Sequence, residues 1–305
     1  MIRKTLLIEK DNYLSIKNEQ LIITSKESGL IRSINPADVG IIIFDNREST
    51  YTHSVISKLL HHNIAIIFCD DKRMPLGMFL NFESNYSQTY TINKQLGLNQ
   101  AQKSRIWKQI IISKIVNQAN LIQHISQEKY VYLKNLSNKV GLADKTNREG
   151  IAAKVYWKTL IGEYFIRDRD GEFPNNYLNY AYAILRSLTA KSLSGSGLLP
   201  IIGIHHHNQY NTYCLADDIM EAYRPFADAL IYDYLKSDMD NEEKQDMKLF
   251  KRYIQKIATE DVLIGDLTRP LSIALTFTTS SLTRCICGES DKISLPRLNY
   301  ESIQN

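Results

Sequence analysis

Long apolar runs are missing from this sequence. No stretch approaches the roughly 20 consecutive apolar residues that a membrane-spanning helix requires. The N-terminus carries Arg3 and Lys4 but no apolar segment of signal-peptide length. These absences argue against a membrane-spanning or secreted protein, and we expect a cytoplasmic one.

Several common catalytic and ligand-binding signatures are also missing. The sequence contains no Walker loop, no glycine-rich dinucleotide fingerprint and no Gly-x-Ser-x-Gly nucleophile elbow. Its four cysteines show no paired zinc-binding spacing, since one residue rather than two separates Cys285 from Cys287. We therefore expect unreactive thiols in a reducing compartment. No internal repeat or low-complexity segment is present.

The composition itself is that of an ordinary globular protein. Hydrophobic residues make up 44% of the 305 positions, and charged residues make up 23%. A chain of this length is expected to form one or two domains. The formal net charge of +4 permits a nucleic-acid partner but does not require one.

Local patterns predict an α+β protein with two parts. Residues 1–80 contain closely spaced runs rich in β-branched residues, which favour antiparallel hairpins interrupted by one short helix at 52–62. Residues 81–97 lack clear periodicity and are interpreted as a linker. Residues 98–305 show mainly the spacing of amphipathic helices. We expect a small β-rich N-terminal domain followed by a larger all-α catalytic domain.

The segment 203–225 carries the strongest chemical signal. A glycine precedes three consecutive histidines, and an apparent helix follows with Asp217, Asp218 and Glu221. Asp218 and Glu221 are three residues apart, so they lie on one helical face. Carboxylates with imidazole favour a divalent-metal site, and Mn²⁺ tolerates imidazole more readily than Mg²⁺ does. The structural alternative is that the acids stabilise the helix dipole and the histidines lie in a solvated loop.

Three motifs together resemble the CRISPR-associated adaptation integrases, the metal-dependent subunits that insert spacers. Their order and spacing agree with that family, as does a β-rich start before a helical remainder. In the second motif Ala181 stands where glycine is commoner. The motifs are Arg148-Glu149-Gly150 with Tyr156 and Trp157; Leu178-Asn179-Tyr180-Ala181-Tyr182-Ala183-Ile184-Leu185; and Gly203-Ile204-His205-His206 with Leu215-Ala216-Asp217-Asp218-Ile219-Met220-Glu221 and Tyr223-Arg224-Pro225.

The resemblance implies a particular reaction and a particular set of partners. Family members are homodimers that assemble with a small ferredoxin-like subunit and join 3′-hydroxyl ends of a short DNA duplex to a CRISPR repeat. A Mg²⁺ or Mn²⁺ ion can polarise the attacked phosphate. The motif positions imply that Glu149, His206 and Glu221 are the catalytic metal ligands, with Asp218 as a further candidate. The loop at 208–211 looks most like members from type II systems.

The residues leave several alternatives open. The same site would serve a metal-dependent nuclease that only hydrolyses branched DNA, and a non-catalytic DNA-binding scaffold is a third possibility. Arg148, Lys154, Lys158 and Arg224 would contact DNA phosphates or be ordinary solvated charges. Tyrosines in the helical segment 176–190 would pack in the core or stack on bases.

The N-terminal region carries no catalytic candidates, and we predict that it forms the dimer contact. Light scattering on protein that lacks residues 1–80 should therefore show a monomer, whereas the full-length protein should show a dimer. A dimer of undiminished stability after the deletion would contradict this assignment.

Overall fold

The computed structural model describes residues 4–81 and 85–300. The chain divides into two compact units, Met1–Ser84 and Asn85–Asn305. The first unit is β-rich and the second is mainly helical, as the sequence predicts. Among the described residues, no helix combines the length and the apolar content needed to cross a membrane.

The first unit contains two four-stranded sheets and one helix. One sheet has the strand order β1-β5-β7-β8, and the other has the order β4-β3-β2-β6. Leucine, isoleucine and valine side chains from both sheets and from α1 form its buried core. The elements are β1 (Lys4–Ile8), β2 (Asn12–Lys17), β3 (Gln20–Ser25), β4 (Ile31–Ile34), β5 (Val39–Phe44), β6 (Thr50–Tyr51), α1 (His53–His61), β7 (Ala65–Cys69) and β8 (Pro75–Phe79).

The hairpin prediction is correct for only part of this unit. Strands β2, β3 and β4 pair antiparallel, as their close spacing predicts. Strands β1, β5 and β7 instead pair parallel. Parallel neighbours need crossover connections. Here β2, β3 and β4 lie in sequence between β1 and β5, and α1 lies between β5 and β7. Strand β5 is buried along its whole length, which suits the centre of a parallel sheet.

The second unit consists of ten helices and a small sheet within the described residues. Its sheet, in the order β10-β9-β11, was not evident from the helical periodicity. Residues 88–96 form a helix in the segment interpreted as a linker, and residues 82–84 of that segment lie outside the described residues. The elements are α2 (Gln88–Leu96), α3 (Gln100–Ile122), α4 (Gln127–Ser137), α5 (Arg148–Leu160), α6 (Asn175–Gly195), α7 (Cys214–Met220), α8 (Arg224–Lys236), α9 (Asn241–Gln245), α10 (Met247–Ile254), β9 (Asp261–Ile264), β10 (Leu267–Pro270), α11 (Leu271–Ile286) and β11 (Pro296–Arg297).

Helix α3 is the central element of the second unit. It begins at a capping box formed by Asn99 and Gln102, which satisfies backbone N–H groups at its first turn. It packs against α4, α5 and α8. Its buried Asn117 donates to the carbonyls of Ala222 and Pro296, both at 3.0 Å, and accepts from the Leu298 N–H at 2.9 Å. Asn117 thereby attaches the 3₁₀ turn Glu221–Tyr223 to α3.

Candidate metal centre

Glu149 lies in the first turn of α5, and the residues before the helix fix that turn. Asp144 accepts the backbone N–H groups of Arg148 and Glu149, each at 2.9 Å. Asn147 adopts a left-handed backbone conformation with φ of 50° and accepts the Gly150 N–H. A carboxylate and an amide at a helix start satisfy N–H groups that have no partner within the helix. The backbone that carries Glu149 is therefore held at two points.

Glu221 lies where α7 ends and the 3₁₀ turn begins, and its side chain is only 5% exposed. One carboxylate oxygen, Oε1, is 2.9 Å from Arg224 Nη2, and the other, Oε2, is 2.5 Å from Lys114 Nζ. Burial alone would raise the pKa of Glu221, but Arg224 and Lys114 outweigh burial and lower it. Glu221 is therefore a buried anion stabilised by two cations.

Lys114 of α3 connects Glu221 to Glu149. Its ammonium is 2.5 Å from Glu149 Oε1 as well as 2.5 Å from Glu221 Oε2, and its side chain is 10% exposed. Burial would lower the pKa of Lys114, yet the charges of Glu221 and Glu149 raise it. Sequence reasoning missed this residue. The available signal was a lysine among Ile110, Ile111 and Ile115 on the apolar side of α3.

Asp218 organises the histidine loop, which we define as residues 203–213. Its carboxylate is fully buried and accepts the backbone N–H groups of Ile204, His205 and His206 at 2.6, 3.0 and 3.1 Å. The loop backbone folds back on itself so closely that a Cβ on Gly203 would lie 2.1 Å from the His206 carbonyl oxygen. Only glycine fits at that position without a shift of the backbone.

Asp218 also fixes the orientation of the His206 ring. His206 Nδ1 is 2.7 Å from Asp218 Oδ1, and this hydrogen bond is the main reason why the pKa of His206 is raised. A carboxylate on one ring nitrogen leaves Nε2 for a further ligand, as is usual for histidines that bind metals.

The two neighbouring histidines have different surroundings. The His205 ring stacks on buried Trp107 with a centroid distance of 4.1 Å and an interplanar angle of 4°. His207 is exposed, and its Nδ1 is 2.8 Å from the His205 carbonyl oxygen. Of the three, only His206 pairs with a carboxylate through its ring. The choice of His206 as a metal ligand, made from its motif position, stays a prediction.

Asp217 is held by a different cation from the one that Glu149 and Glu221 share. Arg186 of α6 contacts both of its oxygens, at 2.6 and 3.2 Å, and Asn211 donates to it at 2.7 Å. Because Asn211 belongs to the histidine loop, this network attaches the loop to α6. The structure thus places Asp217 in a supporting role and identifies Arg186 as a residue that sequence reasoning missed.

The four basic residues that were candidates for DNA contacts differ in their partners and in their exposure. Arg224 contacts Glu221, and its guanidinium lies 4.6 Å from the centroid of the Tyr182 ring. Lys158 pairs with Glu163, and Lys154 is exposed. The Arg148 Nε is buried and has no hydrogen-bond partner among the described residues.

The tyrosines of α6 pack in the core rather than at the surface, which excludes base stacking for Tyr177, Tyr180 and Tyr182 as placed.

The donor set fits a hard divalent cation, although the side chains are not arranged as a coordination shell here. Among residues 4–81 and 85–300, no three histidine, cysteine or acidic side chains are placed to hold a metal ion together. Two carboxylates nevertheless converge on one cationic atom, Lys114 Nζ. Two carboxylate oxygens and one imidazole nitrogen are ligands that suit Mn²⁺, and carboxylate oxygens suit Mg²⁺.

Comparison with known protein families gives a match over most of the chain. The family model described as CRISPR associated protein Cas1 matches residues 5–261. The chain belongs to the Cas1 family. A protein named CRISPR-associated endonuclease Cas1 from Neisseria meningitidis is 33% identical over 232 residues, which cover 76% of this chain and 75% of that one. A Cas1 endonuclease from Saccharolobus solfataricus is 29% identical over 253 residues, covering 77% and 76%.

Solved structures show that the fold is shared more widely. A casposase bound to integration product superimposes with a TM-score of 0.78 at 18% identity, covering 95% of this chain and 92% of that one. A Cas1 protein from Thermotoga maritima gives a TM-score of 0.75 at 17% identity, covering 94% and 98%. At these identities the likeness establishes the Cas1 fold alone.

The buried carboxylate of Asp228 in α8 leads to a prediction about how stability changes with pH. Its carboxylate accepts the hydroxyls of Tyr156 at 2.8 Å and Tyr182 at 2.6 Å. Burial raises the pKa of Asp228 to about 6, although both hydroxyls and Arg224 act to lower it. Between about pH 4 and pH 6 the folded protein retains a proton that the unfolded chain has released. The free energy of unfolding should therefore decrease as the pH rises.

Replacing Asp228 with asparagine should remove this contribution. Relative to Asp228→Asn, wild-type protein should lose about 2 kcal/mol of unfolding free energy between about pH 4 and pH 7. Urea denaturation of metal-free protein at a series of pH values measures the difference. Asp238→Asn, at an exposed position, is the control and should follow the wild-type profile. If the unfolding free energies of wild type and Asp228→Asn changed with pH in parallel, the raised pKa of Asp228 would be contradicted.

Proposed function

We propose that the chain is a metal-dependent DNA integrase that joins 3′-hydroxyl ends of spacer DNA to a CRISPR repeat by transesterification. The observation that carries this proposal is the convergence of Glu149 and Glu221 on one cationic atom; Asp218, three residues before Glu221, also orients the His206 ring. Relatives named as endonucleases and a casposase whose structure contains an integration product support a phosphodiester reaction.

Glu149, His206 and Glu221 would hold one Mg²⁺ or Mn²⁺ ion. When bound, the ion supplies Lewis-acid polarisation of the attacked phosphate and stabilisation of the leaving oxygen. Asp218 keeps the His206 proton on Nδ1, which leaves Nε2 as the donor atom. Because both Asp218 oxygens already accept hydrogen bonds, we assign Asp218 a positioning role and do not include it among the ligands.

Three basic residues of the chain would orient a ligand or bind DNA in the proposed mechanism. Arg224 holds Oε1 of Glu221 and packs over Tyr182, so it fixes the direction in which Oε2 points. The Arg148 guanidinium adjoins Glu149 in sequence and would contact a DNA phosphate, as would exposed Lys154. Such contacts position the backbone of the DNA and carry no sequence information.

The proposed assembly is a homodimer that binds a small second subunit. Two structural neighbours with TM-scores of 0.73 and 0.63 are chains of Cas6-RT-Cas1–Cas2 complexes, one of them partial. We propose that this chain takes a partner of the Cas2 kind, and the ferredoxin-like fold of that partner remains a prediction.

Product analysis tests the reaction class. The purified protein and its small partner should join a short 3′-hydroxyl duplex to repeat DNA in the presence of Mg²⁺ or Mn²⁺, and chelation with EDTA should abolish joining. Strand cleavage without joined products would identify a hydrolytic nuclease instead. Efficient joining in excess EDTA would rule out the metal mechanism.

Alanine substitutions test the ligand assignment. His206→Ala, Glu149→Ala and Glu221→Ala should each reduce integration by more than about 100-fold, since even the loss of outer-shell partners costs about 10–100-fold. His207→Ala is the matched control because that ring is exposed, and His205→Ala should also keep substantial activity. Light scattering and circular dichroism should show unchanged dimers and folding. An inactive His205→Ala beside an active His206→Ala would show that the histidine register is off by one.

A further inference from the structure

Lys114 lies where the two proposed carboxylate ligands meet. Its ammonium contacts Oε1 of Glu149 and Oε2 of Glu221 at the same distance, 2.5 Å. The residue comes from α3, a buried helix that is itself anchored to the turn carrying Glu221 through Asn117. The contact is therefore formed by the interior of the fold and is not a surface ion pair.

The second cation at the site contacts a different atom. Arg224 binds Oε1 of Glu221 through its Nη2, while Lys114 binds Oε2. Lys114 thus contacts one oxygen of each carboxylate, where a divalent ion held by both glutamates would compete with it. Arg224 contacts the other oxygen of Glu221 and does not contact Glu149 among the described residues.

We propose that Lys114 is a built-in competitor of the metal ion, a counter-cation that holds Glu149 and Glu221 together until a divalent ion displaces it. This inference rests on the metal site given under the proposed function. Lysine suits the role because its ammonium is a compact charge on a flexible four-carbon stem, which can withdraw without moving α3. Without Lys114, buried Glu221 and half-buried Glu149 would repel each other, and the desolvated charge of Glu221 would lose one of its two cations.

Two consequences distinguish competition from simple support of the site. Removing the positive charge at position 114 should strengthen metal binding, because the ion no longer has to displace a cation. The same change should destabilise the metal-free protein, because the glutamate pair loses its counter-charge. A lysine that only supported the ligands would give the opposite result for metal binding, since its loss would weaken the site.

Calorimetric titration of metal-free full-length protein with Mn²⁺ measures the first consequence. Lys114→Gln, which keeps a hydrogen-bond donor but no charge, should bind Mn²⁺ about 10- to 100-fold more tightly than wild type. Lys114→Arg, which retains the charge, should stay close to the wild-type affinity or bind more weakly. Lys108→Gln, on the same helix and without an ion pair to either glutamate among the described residues, is the matched control and should not change the affinity.

Thermal unfolding measures the second consequence. Metal-free Lys114→Gln should melt below wild type, and saturating Mn²⁺ should raise its melting temperature by more than it raises that of wild type. Equal or weaker Mn²⁺ binding by Lys114→Gln, with wild type binding normally, would overturn the competitor role and leave the proposed function intact. Absence of Mn²⁺ binding by wild type would overturn the proposed metal site and this inference with it.

If Lys114→Gln does not fold, a measurement on wild-type protein shows whether a divalent ion displaces Lys114 from the two glutamates. In protein labelled with ¹⁵N-lysine, the Nζ signal of Lys114 is the one that is absent from the Lys114→Arg spectrum. A Mg²⁺ concentration that saturates binding should shift or remove that signal as the ammonium leaves the carboxylates. An unchanged signal at saturation would overturn the proposal.

Discussion

The placement of Glu149 and Glu221 around one ammonium is the interaction on which the rest of the site depends. Two acids from distant parts of the chain share Lys114, and one of them is almost fully buried. Such a pair is stable in a fold only when a cation offsets both the desolvation of each charge and their mutual repulsion. Helix α3 supplies that cation, and one turn further along its Asn117 binds the backbone beside Glu221. One helix face therefore provides both the charge and the anchor.

The histidine loop is organised around a buried charge, that of Asp218, which hydrogen bonds stabilise. Asp218 is fully buried, yet three backbone N–H groups and one imidazole satisfy it instead of a cation. Because the loop must pass close enough to present three consecutive N–H groups, Gly203 cannot carry a Cβ. The His206 ring is consequently positioned by the same carboxylate that folds the loop, and its orientation follows from the backbone.

The sequence predicted those parts of the molecule that local spacing determines. Strands β2 to β4 and the acid-bearing helix after the histidines followed from short-range patterns, and motif positions selected Glu149, His206 and Glu221. The parallel pairing of β1 with β5 was missed because it joins segments separated by the three antiparallel strands β2, β3 and β4. Lys114 was missed for a similar reason. Its partners are 35 and 107 positions away, and periodicity only shows that a lysine lies on an apolar face.

The way each acid is neutralised separates ligand candidates from structural acids. Asp217 is held by the two-pronged contact of Arg186, Asp218 by backbone N–H groups, and Asp228 by two tyrosine hydroxyls. Those partners are parts of the packed fold, and removing them would leave buried polar groups unsatisfied. Glu149 and Glu221 alone among these acids share a flexible lysine ammonium, which can withdraw at little structural cost. If a divalent ion binds as proposed, it would replace the lysine ammonium at these two glutamates and leave the partners of the other three acids in place.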